Sequence, residues 1–305
     1  MRLIDFVIAL GDLMMPRACL ACGRRLGMRE RHLCLSCAAD VPYTRFWLAA
    51  HNPLADRFNA VLERHRGTEP MDYAYAAALL YYKGAYRSIP RALKYQGDLA
   101  AGRHYGALLG RRLAAAPHFA DIDLVIPVPL HWTRLRSRGY NQAEILARAL
   151  SDAFRAVPST VIPGLTRNLP EVRTDLLVRA RRTRTQTRVS VDQKARNVAS
   201  AFQVPERFSL WARFVSTLKG DVPESPAAVL ASARHILLVD DTFTTGATLH
   251  ACYAALRPFT TARISIATLA AVEGTPSLEG PPSGTGGMPS SPGDTSLPSA
   301  PSDGP

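Results

Sequence analysis

The chain has 305 residues, with 37 basic and 25 acidic side chains and a formal net charge of +12. This length suits one ordinary α/β domain with a small appendage and excludes two large domains. The positive charge favours polyanionic partners, such as phosphate esters, pyrophosphate or nucleic acid, and does not distinguish among them.

The chain begins with the apolar stripe MRLIDFVIALGDLMMP, which Asp5 and Asp12 interrupt. No run approaches the roughly 18 to 20 apolar residues that a membrane span requires. A cleaved signal would need a basic start followed by an uninterrupted apolar segment. We therefore predict an amphipathic helix that packs on the domain, and a cytoplasmic protein.

Two C-x-x-C pairs follow in CLACGRRLGMRERHLCLSC, and they contain Cys19, Cys22, Cys34 and Cys37. Four thiolates on two short turns suit tetrahedral zinc, and disulfides are disfavoured in a cytoplasmic protein. The alternative is a set of reduced cysteines that remain from a degenerate site. Because four cysteines complete the coordination, the predicted Zn²⁺ is structural. We assign residues 1–45 to an N-terminal helix and a zinc ribbon.

Strand and helix patterns alternate through the middle of the chain. DYAYAAALLYY has a strand pattern at its end, YRSIPRALKYQGDLAAGRHYGALLGRRLAAA has a helical pattern around Pro90 and Gly97, and DLVIPVPL has the pattern of a second buried strand. An α/β domain is therefore predicted over residues 72–272.

The strand DLVIPVPL ends in the sequence Pro-Val-Pro at residues 127–129. Proline removes a backbone donor and fixes φ, so the chain must turn there. The segment RLRSRGYNQAE follows with three arginines and an asparagine that suits a helix cap. Guanidinium groups bind pyrophosphate oxygens in a bidentate manner. A solvated basic loop is the alternative.

A second basic stretch, LVRARRTRTQTRVSVDQKARNVASAF, has too many charges to be buried. It is typical of a mobile flap over a binding site, or of an electrostatic face for single-stranded nucleic acid. The run contains no aromatic residue before its final phenylalanine, and this weakens the nucleic-acid interpretation without excluding it.

Three segments fit the domain pattern poorly. Residues 157–175 and 205–232 are longer than ordinary connections in an α/β domain, so we predict that they are insertions. Residues 273–305 consist mainly of glycine, proline and serine, and we predict a disordered tail.

The stretch HILLVDDTFTTGAT contains the most informative motif. Residues 236–239 form a short apolar run that predicts a parallel strand buried on both faces. Asp240 and Asp241 follow directly, and a hydroxyl-rich turn then leads into the helical pattern LHACYAALRP. Cys252 lies in phase with the apolar stripe of that helix, which favours buried packing.

Such a junction faces the ligand crevice of an open α/β sheet. The amides of the turn and the helix N-terminus suit a phosphate group. Adjacent carboxylates would repel a phosphate, so sugar hydroxyls or a hard divalent cation must lie between the carboxylates and the phosphate. A phosphorylated ribose supplies the phosphate for the turn and the hydroxyls for the carboxylates. The alternative is an acid pair that merely caps a helix.

ILLVDDTFTTGAT resembles the thirteen-residue signature of the type I phosphoribosyltransferases. With the cysteine pairs, YYKGAYRSIPRALKYQGD and RGYNQ, the chain resembles the ComF family, which comprises competence-protein-like phosphoribosyltransferases with an N-terminal zinc ribbon. The resemblance covers roughly residues 10–156, 176–204 and 233–272. It implies a type I phosphoribosyltransferase-like α/β fold with a mainly parallel sheet flanked by helices.

The resemblance also implies a site for phosphoribosyl pyrophosphate with Mg²⁺. The acidic pair would hold the ribose hydroxyls and the following loop the 5-phosphate, while the loop after residue 127 would hold pyrophosphate. The implied catalytic residues are Asp240, Asp241 and Arg138. The implied substrate-binding residues are Thr242, Thr244, Thr245, Gly246, Ala247, Thr248, Val128, Pro129, Lys94, Asn141, Gln142, Arg179, Gln186 and Arg196. For Lys94, an exposed helix lysine is the alternative.

The predicted function is transfer of the phosphoribosyl group to an unknown acceptor. The alternative is a non-catalytic role, either as a sugar-phosphate sensor or as a competence factor that binds single-stranded DNA during DNA uptake. Other competence proteins would be partners of such a competence factor. The intact acid pair favours retained ribose and metal binding, since a protein that only binds DNA has no need of it.

Overall fold

A five-stranded parallel sheet is the centre of the fold. The computed structural model describes residues 17–65, 72–156, 170–180, 201–207 and 225–274. The strands of this sheet are β1 Ala76–Tyr81, β2 Leu124–Pro127, β3 Glu171–Val172, β6 His235–Phe243 and β7 Arg263–Ala271. A separate antiparallel pair consists of β4 Val178–Arg179 and β5 Phe202–Gln203. The five strands lie in the order β1-β7-β6-β2-β3, and each neighbouring pair is parallel.

Strand β6 shows why its sequence is apolar without alternation. Ile236 and Leu238 pack into one buried cluster, whereas Leu237 and Val239 pack into the cluster on the opposite face. Successive side chains of a strand point to opposite faces, so a strand covered on both sides needs apolar residues at every position. The predicted parallel strand at this place is confirmed.

Helices cover both faces of the sheet. The helices are α1 Leu35–Ala39, α2 Pro53–His65, α3 Ser88–Arg91, α4 Leu99–Ala114, α5 Trp132–Arg138, α6 Gln142–Ala156, α7 Pro226–Ser232 and α8 Ala247–Leu256. A π-helical turn, Ala92–Gln96, continues α3, and short 3-10 turns span Phe46–Leu48, Gly84–Arg87, Pro117–Phe119 and Arg257–Phe259. Helices α2 and α8 pack mainly on one face, and α4 and α6 on the other. The predicted α/β class is confirmed.

Helices α4 and α6 approach each other closely because α4 has glycines on the contact face. A Cβ atom on Gly106 would lie 2.9 Å from the carbonyl oxygen of Leu146, and one on Gly110 would clash with the backbone of Leu150. A methyl group would therefore separate the helices. This packing fixes the position of α6, whose first residue, Gln142, lies in the candidate site.

The ends of the strands leave an opening beside β6. Strand β2 pairs with β6 only as far as Val239, opposite Pro127, while β7 pairs with β6 through Phe243. Beyond Val239, one edge of β6 has no ladder partner among the described residues. An opening at the carboxyl ends of parallel strands is the usual ligand crevice of this architecture.

Three features differ from the sequence interpretation. Strand β6 extends to Phe243, so the two aspartates lie inside the strand instead of after it. Residues 132–138 form helix α5 where a basic loop was an alternative. Helix α2 lies in residues 46–71, to which the sequence interpretation assigned no element.

Several predicted segments lie wholly or partly outside the described residues. These are the N-terminal helix, most of the two insertions, most of the basic stretch and the tail. In the part of the chain that is described, no helix has the length and apolarity needed to cross a bilayer.

Candidate functional site

The four N-terminal cysteines form a cluster of the zinc-ribbon type. The sulfur atoms of Cys19, Cys22, Cys34 and Cys37 all lie within 4.8 Å of one another. The Cys22 and Cys34 sulfurs are 3.8 Å apart, close to the separation of about 3.8 Å expected for tetrahedral zinc with Zn–S bonds of about 2.3 Å. The cluster therefore has the donors and the spacing to bind a structural zinc ion.

Backbone amides lower the pKa of one thiol in this cluster, which favours binding of a cation. The Cys34 N–H donates to the Cys19 sulfur at 3.4 Å. Burial raises the pKa of Cys19, but backbone N–H groups of Cys22, Cys34 and Ala21 outweigh it and lower the pKa to about 6. Hydrogen bonds from the other thiols, Cys22 first, raise the pKa of Cys37 to about 12. A thiolate surrounded by thiols is the state that a metal cation would neutralise.

Asp241 is the centre of a polar network on the α6 face of the sheet. Its side chain is 5% exposed, and Oδ1 lies 2.7 Å from the Lys94 ammonium. Gln142 donates from Nε2 to Asp241 Oδ2 at 2.8 Å, and the Arg138 guanidinium donates to Gln142 Oε1. The Lys94 ammonium also donates to the Thr242 hydroxyl at 3.3 Å. Five of the predicted site residues are thus joined in one chain of contacts.

Asp240 points to the opposite face of the same strand, toward α8. Burial, and after it the neighbouring Asp241 charge, raise its pKa to about 7, while the Asp241 N–H, Lys94 and Arg179 act in the opposite direction. Its Oδ1 accepts a hydrogen bond from the Asp241 N–H at 2.8 Å. The Asp240 charge also contributes to raising the pKa of Cys252, although burial is the main cause.

The two aspartates therefore differ in role. Asp241 is held by fixed donors, whereas Asp240 is a carboxylate under electrostatic strain that a hydroxyl or a cation would relieve. Adjacent residues of a strand project to opposite faces, which explains why neighbours in sequence have such different surroundings.

Residues 244–246 form the turn from β6 into α8, and residues 247 and 248 begin the helix. Gly246 has φ of +80°, a left-handed conformation, and a Cβ atom there would lie 3.0 Å from the Phe243 ring. The Ala247 N–H donates to the Thr245 hydroxyl at 3.4 Å, and Thr244 and Thr245 are exposed. The first turn of α8, which includes Thr248, has amides without intrahelical acceptors, as any helix N-terminus does. This end of β6 can accept an anion.

Arg57 of α2 braces this turn, and sequence reasoning missed it. Its guanidinium donates to the carbonyl oxygens of Thr244 at 2.9 Å and Val272 at 2.7 Å, and it lies 5.2 Å from the centre of the Phe243 ring. Burial lowers its pKa. The Thr244 contact spans 187 residues of sequence, so no local pattern indicates it.

The segment after β2 lies beside β6. The Val128 N–H donates to the Val239 carbonyl at 2.8 Å, and the Asn141 side chain donates to the Val128 carbonyl at 3.1 Å. Pro129, next along the chain, is partly exposed. The Asn141 Oδ1 accepts from the Ala143 N–H at 3.1 Å, as expected of a helix cap.

Arg179 lies close enough to Asp240 to influence its titration, and its guanidinium stacks 5.1 Å from the Phe202 ring. Burial is the main cause that lowers the pKa of Arg179, and Arg134 adds to it. The other two predicted residues of this stretch, Gln186 and Arg196, lie outside the described residues.

Comparison with known proteins shows similarity to a competence protein. The chain is 24% identical to competence protein F of Haemophilus influenzae over 258 residues, a match that spans 83% of this chain and 96% of the relative. No family model matches the chain. The similarity extends over almost the whole relative, so it associates this chain with a competence protein of similar length.

Proposed function

We propose that the chain is a ComF-family protein of the phosphoribosyltransferase type, which binds phosphoribosyl pyrophosphate with Mg²⁺ and transfers its phosphoribosyl group to an acceptor. The observation that supports this most is the end of β6. There, Asp240, Asp241 and Thr242 lead into a turn whose glycine and helix N-terminus suit a phosphate. The similarity to competence protein F supports the family.

In this proposal the end of β6 and the turn after it bind different parts of the substrate. The amides of residues 244–248 hold the 5-phosphate, and Gly246 permits the turn that points them at it. Asp240 and Asp241 accept hydrogen bonds from the ribose hydroxyls. Lys94, fixed by Asp241, adds a positive charge on the same side as Thr242.

The arginines would act on the leaving group. Arg138 is fixed by its hydrogen bond to Gln142 and lies on the helix after the β2 segment. Its guanidinium is the donor that suits pyrophosphate oxygens, as is that of Arg179. As the bond to pyrophosphate breaks, positive charge develops on the sugar ring, and the Asp240 carboxylate stabilises it electrostatically.

The oxygen donors at this place fit a hard divalent cation. The carboxylate of Asp240 has spare acceptor capacity and an unfavourable charge environment, which a cation would neutralise. When bound, Mg²⁺ would neutralise part of the negative charge of pyrophosphate. The cysteine cluster would not bind the substrate, because four thiolates leave no open coordination position on zinc.

Pyrophosphate release tests the proposal. The protein is incubated with phosphoribosyl pyrophosphate, Mg²⁺ and a panel of purine, pyrimidine and pyridine acceptors, and pyrophosphate is followed with a coupled assay. Turnover with any acceptor, lost in Asp240→Asn and retained in the exposed-site control Asp152→Asn, supports the enzyme. Absence of turnover with tight substrate binding would leave a sugar-phosphate sensor and overturn the transferase assignment.

A second candidate is a non-catalytic competence factor that binds single-stranded DNA. The name of the relative and the net charge favour it. Two aromatic side chains are also exposed, Trp132 at 63% and Tyr95 at 75%, and the Arg138 guanidinium lies 5.7 Å from the centre of the Tyr95 ring. This candidate predicts that log affinity for single strands falls with log salt by a slope of about 0.7 per phosphate contact. Replacing the arginines at 181, 182 and 184 should reduce that slope without changing nucleotide binding.

A further inference from the structure

A second pocket adjoins the candidate site at Lys94. Its volume is about 770 Å³, enough for a small aromatic ligand with its substituents. The lining comes from one stretch of chain, from the end of β1 to the π-helical turn. The lining residues are Tyr82, Gly84, Ala85, Arg87, Ser88, Pro90, Arg91, Lys94, Tyr95 and Gln96.

The charge of this lining is entirely positive. Arg87, Arg91 and Lys94 contribute three cations, and the lining contains no carboxylate. Arg87 and Arg91 are exposed, and neither forms an ion pair with another described residue. The adjacent Lys83, by contrast, pairs with Glu273 at 2.8 Å and does not line the pocket. Two guanidinium groups that form no ion pair among the described residues therefore border this cavity, which favours an anionic ligand.

Two tyrosines give the pocket flat walls. The Arg87 guanidinium lies 5.7 Å from the centre of the Tyr82 ring, and the Arg138 guanidinium lies 5.7 Å from the centre of the Tyr95 ring. Aromatic rings close to guanidinium groups suit a planar ligand, which can contact a ring while a guanidinium binds its anionic substituent.

The π-helical turn links the pocket to the acid pair. Lys94 and Tyr95 lie within it, and the Tyr140 hydroxyl donates to the Leu93 carbonyl. A π-helical turn disrupts the regular hydrogen-bond ladder, and such turns are frequent at functional sites. Here the turn directs Lys94 toward Asp241 while Tyr95 faces the pocket. The cavity and the phosphoribosyl site thus share one side chain.

We propose that this pocket binds the acceptor, and that the acceptor is a planar heteroaromatic ring with a carboxylate group. The proposal rests on the proposed phosphoribosyl transfer. Arg87 and Arg91 bind the carboxylate, and the tyrosines pack against the ring. A ring nitrogen then forms a bond to the ribose C1 as the C1–O bond to pyrophosphate breaks. Pyrophosphate leaves with the electron pair of that bond. A ring N–H releases its proton to solvent, whereas a pyridine nitrogen, which carries no proton, becomes a pyridinium.

Matched pairs of probes test this assignment by calorimetry. Orotate is compared with uracil, and nicotinate with nicotinamide, so that each pair differs mainly in the carboxylate. The proteins are the wild type, the double variant Arg87→Gln/Arg91→Gln, and Arg103→Gln, which changes an exposed arginine of α4 away from the pocket. Titration with phosphoribosyl pyrophosphate is carried out separately on each protein.

We expect at least one carboxylate to bind about tenfold more tightly than its neutral partner, as one charge-assisted hydrogen bond provides. The double variant should lose that advantage, Arg103→Gln should keep it, and binding of phosphoribosyl pyrophosphate should stay within about twofold. Equal affinity within both pairs would overturn the proposal. Loss of phosphoribosyl pyrophosphate binding in the double variant would also overturn it, because the pocket would then hold pyrophosphate. If the wild type bound a carboxylate but no phosphoribosyl pyrophosphate, the proposed function alone would fail.

Discussion

Changing Asp240 to asparagine should stabilise the protein at pH 8, whereas the same change at Asp241 should destabilise it. The two residues are adjacent, but their surroundings differ. Asp240 is partly buried beside a like charge, and its pKa is raised to about 7. Asp241 lies 2.7 Å from the Lys94 ammonium and accepts a hydrogen bond from Gln142.

The magnitude at Asp240 follows from its pKa. A rise from 3.8 to about 7 corresponds to about 4 kcal/mol at pH 8, at about 1.36 kcal/mol per pKa unit. The native state binds this proton more tightly than the unfolded state. The contribution of Asp240 protonation to the free energy of unfolding is therefore fully present below about pH 4 and is lost as the pH rises through about 7. Asparagine removes this loss and retains an oxygen that accepts from the residue 241 N–H.

The magnitude at Asp241 has the opposite sign. Removing one partner of a buried ion pair typically costs about 3 to 5 kcal/mol. The Lys94 side chain is 26% exposed, so water compensates part of the loss, and we expect about 2 to 3 kcal/mol.

Urea denaturation of the three proteins without added magnesium measures both effects. At about pH 8, Asp240→Asn should be more stable than the wild type by about 2 to 4 kcal/mol, and the gain should fall by more than half at about pH 5. The reasoning is refuted if Asp240→Asn is no more stable than the wild type at pH 8. A gain independent of pH, or stabilisation by Asp241→Asn, would refute it equally.

The remaining predictions concern the cysteine cluster, the turn at Gly246 and the buried His235 of the sheet. Metal analysis should find about one zinc per chain in the wild type and in Cys252→Ala, and little in Cys34→Ser; zinc retained by Cys34→Ser would exclude the cluster as its ligand. Gly246→Ala should cost about 1 to 2 kcal/mol, because φ is +80° and the new methyl meets the Phe243 ring, and an unchanged melting temperature would contradict the turn geometry. His235→Leu should cost about 2 to 4 kcal/mol in urea denaturation, since the buried ring has one hydrogen bond with the Asp121 carboxylate at 2.6 Å and another with the Ser265 hydroxyl at 2.8 Å; equal stability would show that these contacts contribute nothing.

Local patterns in the sequence were sufficient for the elements that define the fold class. The apolar run at 236–239 could only be a strand covered on both faces, and Pro-Val-Pro at 127–129 required a turn at the end of another. The two C-x-x-C pairs indicated a closed cluster, since such pairs place four sulfurs on neighbouring turns.

Contacts between distant segments could not be predicted in this way. Arg57 of helix α2 contacts the turn at Thr244 across 187 residues, and the Tyr140 hydroxyl contacts the Leu93 carbonyl across 47. Strand β6 extends to Phe243 because β7 pairs with it that far, which depends on the neighbouring strand and not on β6 itself. The different surroundings of the two aspartates likewise depend on distant segments, because the two side chains face helices on opposite sides of the sheet.

Calorimetric titration with phosphoribosyl pyrophosphate and Mg²⁺ tests the central claim most directly. The account predicts that the wild type and Asp152→Asn, a change on the exposed side of α6, bind with equal affinity. Asp240→Asn should bind at least about tenfold more weakly while it remains folded, since hydrogen bonds to a charged group contribute about 1.5 to 3 kcal/mol. Equal affinity in all three proteins, or no binding by the wild type, would contradict the assignment of the site.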